Sequence, residues 1–262
     1  MSNEYKLITE FDMQLIADFF KDLPRQGPGA DEETQKALSF ISGLPHQAKI
    51  ADLGCGTGRQ TQVLASSLVA DLDCQITAID TLPEMIHGLE QRKLKMGAAG
   101  KNITGLVASM DNLPFEPESL DLIWAEGSIY NIGFEKGFKE WKQFLKPGGY
   151  IAVTECCWLN SKRPDKINYF MDNFPEIDNI SGKLKVIENA GYTPVAHFIL
   201  PEYCWLVNYY EPQRACIPKF LEQYQHSKAA KVFADQMETE FAYYNEYKQL
   251  HGYVFYIAKK MD

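Results

Sequence analysis

Three closely spaced glycines, Gly54, Gly56 and Gly58, follow the apolar run 48–53 and precede a helix-like segment that begins at Arg59. A glycine loop between a strand and a helix lets the backbone approach a ligand, and the start of the helix presents free N–H groups. The spacing is GxGxG, whereas the dinucleotide-binding pattern GxGxxG requires a glycine where this chain has Arg59. Glycines at a tight turn can also be purely structural, so other features must decide whether this loop binds a ligand.

Polar residues follow the next two strand-like runs. Asp80 ends the run 74–79, and a carboxylate at such a strand end can accept hydrogen bonds from both hydroxyls of a ribose. The run 103–108 is followed by Ser109, Met110 and Asp111, whose polar and apolar groups could hold the edge and the face of an adenine. Together with the glycine loop, these positions favour a ligand that contains a nucleoside.

Short apolar runs alternate with segments of helical periodicity along most of the chain. This alternation predicts an α/β fold with a buried parallel sheet. The strand-like runs are 48–53, 74–79, 103–108, 120–125, 150–154, 193–200 and 253–258, and the helix-like segments are 9–21, capped by Thr9, 31–41, 59–69, 83–98, 135–145 and 182–190. The stretch 212–249 is aromatic-rich, helical in pattern and longer than an ordinary connection, so we interpret it as an insertion before the last strand.

Composition narrows the class of protein. The 262 residues include 26 Lys and Arg against 35 Asp and Glu, a net charge of −9 without a basic tract, which argues against a nucleic-acid partner. The chain contains neither the ~20-residue apolar run of a membrane span nor, at residues 1–12, the pattern of a signal peptide. The six cysteines show no CxxC and no metal-finger spacing, so we expect reduced thiols, no metal and a cytoplasmic location.

Five elements occur in an order that resembles a known family. They are DLGCGTG at 52–58, Asp80, LPF at 113–115, LDLIWAEG at 120–127 and LKPGG at 145–149. They look like the motifs of class I S-adenosylmethionine-dependent methyltransferases, over about residues 48–154. The flanks look most like the small-molecule branch, which includes the ubiquinone/menaquinone-type C-methyltransferases. The resemblance implies a Rossmann-like, mostly parallel seven-stranded sheet in the order 3-2-1-4-5-7-6, with the last strand antiparallel and helices on both faces.

The resemblance also implies one methyltransferase domain over residues 1–262. We divide it into an N-terminal helical lid (1–45), a cofactor-binding core (46–200), a helical insertion (201–250) and the last strand (251–262). The implied cofactor is S-adenosyl-L-methionine and the implied partner is a small-molecule substrate, with no nucleic acid and no membrane. Aromatic residues of the insertion could serve core or homodimer contacts, or could wall a substrate pocket.

The residues expected at the cofactor are carried over from the matching motifs. Asp52 would order the glycine loop from beneath and Asp80 would take the ribose hydroxyls. Many relatives have an Asp four positions before the Leu of LPF, which receives the adenine amino group. Here that position is Ser109, so the contact falls to Ser109 or Asp111. The full expected set is Arg25, Gln26, Asp52, Gly54, Gly56, Gly58, Asp80, Thr81, Ser109, Met110, Asp111, Glu126 and Gly127.

Methyl transfer from a sulfonium is an in-line displacement in which the enzyme mainly aligns the acceptor and excludes water. A nitrogen or oxygen acceptor can also need a base. The candidates for the catalytic residues are Glu126, Tyr130 and Glu155, at or just beyond strand ends. We further expect the first helix and the loop 25–29 to fold over the cofactor, with Arg25 gripping its carboxylate. An ordinary loop between two helices is the alternative.

Two other functions stay open. A nicotinamide-dependent oxidoreductase would use a similar fold, but Arg59 breaks its glycine pattern and LKPGG has no role in it. A non-catalytic module that binds S-adenosylmethionine is compatible with every motif above.

Overall fold

The computed structural model describes residues 6–261, so the first five residues of the expected lid and Asp262 lie outside the described part. Its strands are β1 (Lys49–Leu53), β2 (Gln75–Asp80), β3 (Ile103–Val107), β4 (Leu120–Ala125), β5 (Leu145–Trp158), β6 (Asp178–Asn179), β7 (Tyr192–Ile199) and β8 (His251–Lys260). Its α-helices are α1 (Met13–Phe20), α2 (Asp31–Ser39), α3 (Arg59–Leu72), α4 (Pro83–Lys93), α5 (Phe134–Trp141), α6 (Ile167–Asn173), α7 (Ile180–Asn189), α8 (Glu202–Trp205), α9 (Glu211–Gln223) and α10 (Lys228–Tyr247). A π-helical segment, Leu206–Tyr210, joins α8 to α9.

The strands of the described residues form one sheet in the order β3-β2-β1-β4-β5-β8-β7. β1 to β5 are parallel, and β8 is antiparallel to both of its neighbours, β5 and β7. The predicted order and the antiparallel last strand are therefore confirmed. The sheet gains one short strand that was not predicted, because β6 pairs with the end of β5 at Cys157 and Trp158.

Both faces of the sheet are covered. All six residues of β4 are buried, as expected for a strand between two layers of helices. A further group of helices packs together next to the sheet. We call this group the cap, and it consists of α1, α8, α9, α10 and the π-helical segment. Phe19 of α1 holds this cap together, with its ring centroid 5.2 Å from that of Phe220 and 5.1 Å from that of Phe233.

Several element boundaries differ from the predictions. The first helix begins at Met13 and is capped by Asp12, whose side chain accepts from the Gln14 N–H, rather than beginning at Thr9. The helices of the insertion begin at Glu202, within the predicted insertion 201–250 but ten residues before the predicted helical stretch 212–249, and α6 was not predicted. α6 packs through Phe170 on Trp158 of β5 and on Tyr247 of α10, with ring centroids 5.5 and 5.9 Å apart, and a local sequence pattern does not report such contacts.

The largest difference concerns β5. The LKPGG turn lies inside this strand as a bulge, where Leu120 pairs with Leu145 but Leu122 already pairs with Tyr150. At its other end the strand continues to Trp158, because β8 pairs with it from Tyr150 to Trp158. Residues 155–158 thus lie in the sheet, where the sequence pattern indicated a strand that ends at residue 154.

Candidate active site

The glycine loop lies between the end of β1 and the start of α3. Gly54, Gly56 and Gly58 all have positive φ, at 72°, 53° and 82°, a conformation that costs glycine little. A Cβ on Gly58 would stand 2.2 Å from Leu89 Cδ1 of α4. Gly58 therefore allows close helix packing and does not line the cavity described below, whereas Gly54 and Gly56 do.

Asp80 supports this loop from the end of β2. Its Oδ2 accepts a hydrogen bond from the Gly56 N–H at 2.9 Å, and its Oδ1 accepts from the Leu82 N–H at 3.0 Å. Burial raises the pKa of the Asp80 carboxyl. The carboxylate lines the cavity, and each oxygen that binds a backbone amide keeps a further lone pair for a ligand.

Asp52 lies beneath the loop and is fully buried. Its oxygens accept from the Thr61 hydroxyl at 2.5 Å and from Gln60 Nε2 at 3.3 Å. Burial raises the pKa of Asp52 to about 7. The side chain fixes the start of α3 and does not reach the cavity, so any effect on a ligand passes through the loop.

Arg25 and Glu126 join the N-terminal segment to the end of β4. Arg25 Nη1 lies 3.2 Å from Glu126 Oε2, and Arg25 Nη2 lies 3.0 Å from Asp31 Oδ1. Glu126 Oε1 also accepts from the Thr34 hydroxyl at 2.7 Å and from Trp124 Nε1 at 2.9 Å. In this state the Arg25 guanidinium, expected to bind a ligand carboxylate, is bound by two protein carboxylates at the cavity wall.

Gln26 connects the same segment to the glycine loop. Its Oε1 accepts from the Thr57 N–H at 2.8 Å, and its Nε2 donates to the Phe20 and Leu23 carbonyls at 3.0 and 3.1 Å. A Cβ on Gly56 would stand 2.4 Å from Gln26 Oε1. Gln26 therefore sets how closely the end of α1 approaches the loop.

The residues expected near an adenine line the rim of the cavity. Ser109 Oγ accepts from the Asp111 N–H at 3.2 Å, and Asp111 forms an ion pair with Lys136 at 2.7 Å in which both side chains are about half exposed. The Met110 carbonyl accepts from Trp141 Nε1, which anchors this loop. Thr81 and Gly127 also line the cavity.

The cavity has a volume of about 450 Å³ and runs from the glycine loop to the cap. Its far half is built from rings, which we call the aromatic wall: Tyr130, Tyr169, Phe170, Phe174, Trp205, Tyr209, Tyr210, Tyr244 and Tyr253. Glu240 and His251 lie among them. A volume within the ~300–1,000 Å³ of ligand pockets, lined by both apolar and polar side chains, is typical of a small-molecule site.

Comparison with known proteins agrees with this geometry. The family described as "Methyltransferase domain" matches residues 51–153. The uncharacterized methyltransferase YodH of Bacillus subtilis is 24% identical over 89% of this chain and 93% of its own length. A demethylmenaquinone methyltransferase of Tropheryma whipplei is 29% identical, over 48% of each chain. These matches and the fold support a class I S-adenosylmethionine-dependent methyltransferase.

The fold of this methyltransferase also has a close counterpart among solved structures. A methyltransferase from Geobacter sulfurreducens, solved with S-adenosylhomocysteine, superposes with a TM-score of 0.80 at 15% identity, over 95% of this chain and 98% of the other. No helix within residues 6–261 is long and apolar enough to cross a membrane. Within the same range, no group of three or more His, Cys, Asp or Glu side chains is arranged to hold a metal ion.

The methyltransferase's own residues fit its cofactor, S-adenosylmethionine. Gly54 and Gly56 line the cavity, and Asp80 presents a carboxylate to it. Arg25 supplies a cation at the same end, and its carboxylate partners Glu126 and Asp31 would have to share it with the amino-acid carboxylate of the cofactor.

Of the catalytic candidates, Glu126 and Tyr130 line the cavity and Glu155 does not. Glu155 lies within β5 with its side chain on the opposite face of the sheet, 3.8 Å from Lys183 Nζ of α7, and both side chains are 2% exposed. Burial raises the pKa of Glu155 to about 7. The expectation failed because Glu155 was assigned to a strand end, whereas pairing with β8 extends the strand beyond it.

Sequence reasoning missed part of the site. Ser128, whose hydroxyl donates to the Leu53 carbonyl at 2.6 Å, ties the ends of β1 and β4 together. Glu240, His251, Tyr169 and Tyr253 were not singled out either, although Trp205, Tyr209, Tyr210 and Tyr244 were considered as pocket residues. Glu240 is one of several polar positions on α10, and His251 and Tyr253 lie in the buried strand β8, so no local signal separates these three from structural positions.

Proposed function

We propose that this methyltransferase transfers a methyl group to a small-molecule acceptor by in-line displacement. The observation that supports the proposal is one continuous cavity that connects the glycine loop to the aromatic wall. A cavity of about 450 Å³ that must hold the cofactor as well has room for only a small acceptor. The net charge of −9 argues against nucleic acid as the acceptor.

Each part of the chain has a distinct role in this proposal. Bound S-adenosylmethionine supplies a methyl group that is activated by its positive sulfur. Gly54 and Gly56 let the backbone approach the cofactor, and Asp80 accepts the ribose hydroxyls. Either Ser109 or Asp111 contacts the adenine amino group. The whole chain acts as one domain, in which residues before 200 bind the cofactor and the insertion encloses the acceptor.

Exclusion of water is the task of the cap. α1 packs on α9, and through Phe19 on Phe233 of α10, while Gln26 joins the end of α1 to the glycine loop. Tyr130 follows Gly127 and Ser128 along the chain and lines the cavity, with its ring centroid 5.8 Å from that of Phe174 in the aromatic wall. Burial raises its pKa to about 12, so at neutral pH the phenol keeps its proton and orients an acceptor as a hydrogen-bond donor.

Two measurements test this proposal. Calorimetry measures the binding of S-adenosylhomocysteine, and an activity assay measures the formation of S-adenosylhomocysteine from S-adenosylmethionine in the presence of pools of small amines, phenols, thiols and carbon acids. We expect binding of the demethylated cofactor and turnover with one small-molecule pool. Turnover with a protein or RNA fraction, and with none of the small molecules, would contradict it. Tight binding of NADH in place of the demethylated cofactor would support the oxidoreductase alternative.

A further inference from the structure

Among the described residues that line the acceptor half of the cavity, Glu240 is the one carboxyl group, and no Lys or Arg accompanies it. Glu240 of α10 lines it, and among the described residues its hydrogen bond comes from the Tyr210 hydroxyl, 3.2 Å from Oε1. Arg25 is the one Lys or Arg among the described residues that line the cavity, and Glu126 and Asp31 bind it at the other end. An unpaired carboxylate in an enclosed site favours a ligand of opposite charge.

The other titratable groups of this half do not supply a positive charge. Burial lowers the pKa of His251 to about 4, so the imidazole is neutral at physiological pH. The tyrosines nearby keep their protons, because burial raises the pKa of Tyr130 to about 12 and that of Tyr209 well above its usual range. Burial also raises the pKa of Glu240 to about 7, and a bound cation would favour its ionised form.

The walls around Glu240 are faces and edges of electron-rich rings. Trp205 stacks on Tyr244 with ring centroids 4.5 Å apart and meets Tyr253 edge-on at 4.7 Å. Tyr209 and Tyr210 lie 5.0 Å apart beside them. Ring faces attract organic cations through their quadrupoles, most strongly where water is excluded.

We propose that the acceptor is a small amine that enters as an ammonium ion, with the Glu240 carboxylate as its counterion and the rings of Trp205, Tyr209 and Tyr253 around it. This inference rests on the proposed function, because it concerns the acceptor of that methyl transfer. Before its nitrogen can react, the ammonium gives one proton to a Glu240 carboxylate oxygen. An acceptor with a carboxylate or phosphate next to its nitrogen is disfavoured, since none of the described residues that line this half is a Lys or Arg.

Three probes of one shape but different charge test the inference. Benzylamine, benzyl alcohol and benzoate are titrated by calorimetry at pH 8 into protein saturated with S-adenosylhomocysteine. We expect benzylamine to bind about tenfold or more tightly than benzyl alcohol, since a hydrogen bond to a charged group is worth about one factor of ten or more. We expect no binding of benzoate. Equal affinity for benzylamine and the alcohol, absence of benzylamine binding, or preference for benzoate overturns the inference.

Variants then locate the charge. Glu240→Gln should remove the preference for benzylamine over benzyl alcohol and leave the affinity for S-adenosylhomocysteine unchanged. The matched control is Glu238→Gln on the same helix, whose carboxylate pairs with Arg214 outside the cavity; it should keep the preference. A preference that survives in Glu240→Gln refutes the assignment. If the protein fails to bind S-adenosylhomocysteine, the proposed function fails and this inference with it; if it binds but does not discriminate the probes, only this inference fails.

Discussion

The ion pair between Arg25 and Glu126 should stabilise the junction between the N-terminal segment and the sheet. The two side chains are only 8% and 5% exposed, and 3.2 Å separates Arg25 Nη1 from Glu126 Oε2. At an effective dielectric constant of about 20, charges at this distance attract by about 5 kcal/mol before desolvation is subtracted. Removal of one partner of a buried pair typically costs about 3–5 kcal/mol, because the other charge stays buried without its partner.

We expect the cost here at the low end of that range. Glu126 keeps the hydrogen bonds from Thr34 and Trp124 after Arg25 is truncated. Arg25→Met should therefore lower the free energy of unfolding by about 3 kcal/mol, and Glu126→Gln by a similar amount. The double variant should be about 2 kcal/mol more stable than the sum of the two losses predicts, because neither charge is then left alone.

Urea unfolding of the four proteins, extrapolated to water, measures this coupling. The control cycle uses Lys139 and Glu135, an i,i+4 pair on α5 whose side chains are 57% and 54% exposed. Its coupling should stay below about 0.5 kcal/mol. If the Arg25 and Glu126 losses add to within about 0.5 kcal/mol, the pair does not stabilise the junction and the reasoning from its burial is wrong.

Three further predictions concern the loop, the ribose site and the acid response of the wall. Asp80→Ala should weaken the binding of S-adenosylhomocysteine about 100-fold or more in calorimetry, through the loss of two charge-assisted hydrogen bonds, while the exposed Asp71→Ala binds normally; equal affinities would refute the ribose role. Gly56→Val should abolish that binding with the circular dichroism unchanged, because φ is 53° and the new side chain meets Gln26; retained binding would contradict the close approach. Burial lowers the pKa of His251 from about 6.5 in the unfolded chain to about 4, so the free energy of unfolding falls as the pH drops through this window. Between pH 7 and 4.5, the free energy of unfolding of His251→Gln should fall by about 2 kcal/mol less than that of the wild type. Equal falls in urea unfolding would refute the assignment.

The cofactor half of the site was predictable because its signals are local. At each of these positions the residue type suits the local backbone, as in the glycine loop, in Asp80 at the end of β2 and in the strand that ends at Ala125. The parallel strands bring these ends together at one edge of the sheet. Ser109 and Asp111, the two predicted partners of the adenine amino group, both line the cavity.

The acceptor half depends on long-range pairing, which a local pattern does not report. Glu155 was expected at the site because the apolar run ends before it. Pairing with β8 instead continues β5 beyond Glu155, whose side chain lies beside Lys183 on the face of the sheet opposite to the cavity. Glu240 reads as one polar position among others on an amphipathic helix. Its role becomes visible only when α10 is packed against Tyr210 and the end of the sheet.

The position of β8 has a consequence for how the chain folds as it is synthesised. β8 pairs with both β5 and β7, and His251 faces Trp158 across the sheet although 93 positions separate them in the chain. At about 5–20 residues per second, the ribosome needs roughly 5–20 s to extend the chain from one to the other. During this interval the nascent chain holds β5 as an open, apolar edge, which is prone to pair with other chains. Chaperones that shield such edges should therefore affect the folding of this chain most while residues 159–251 are being synthesised.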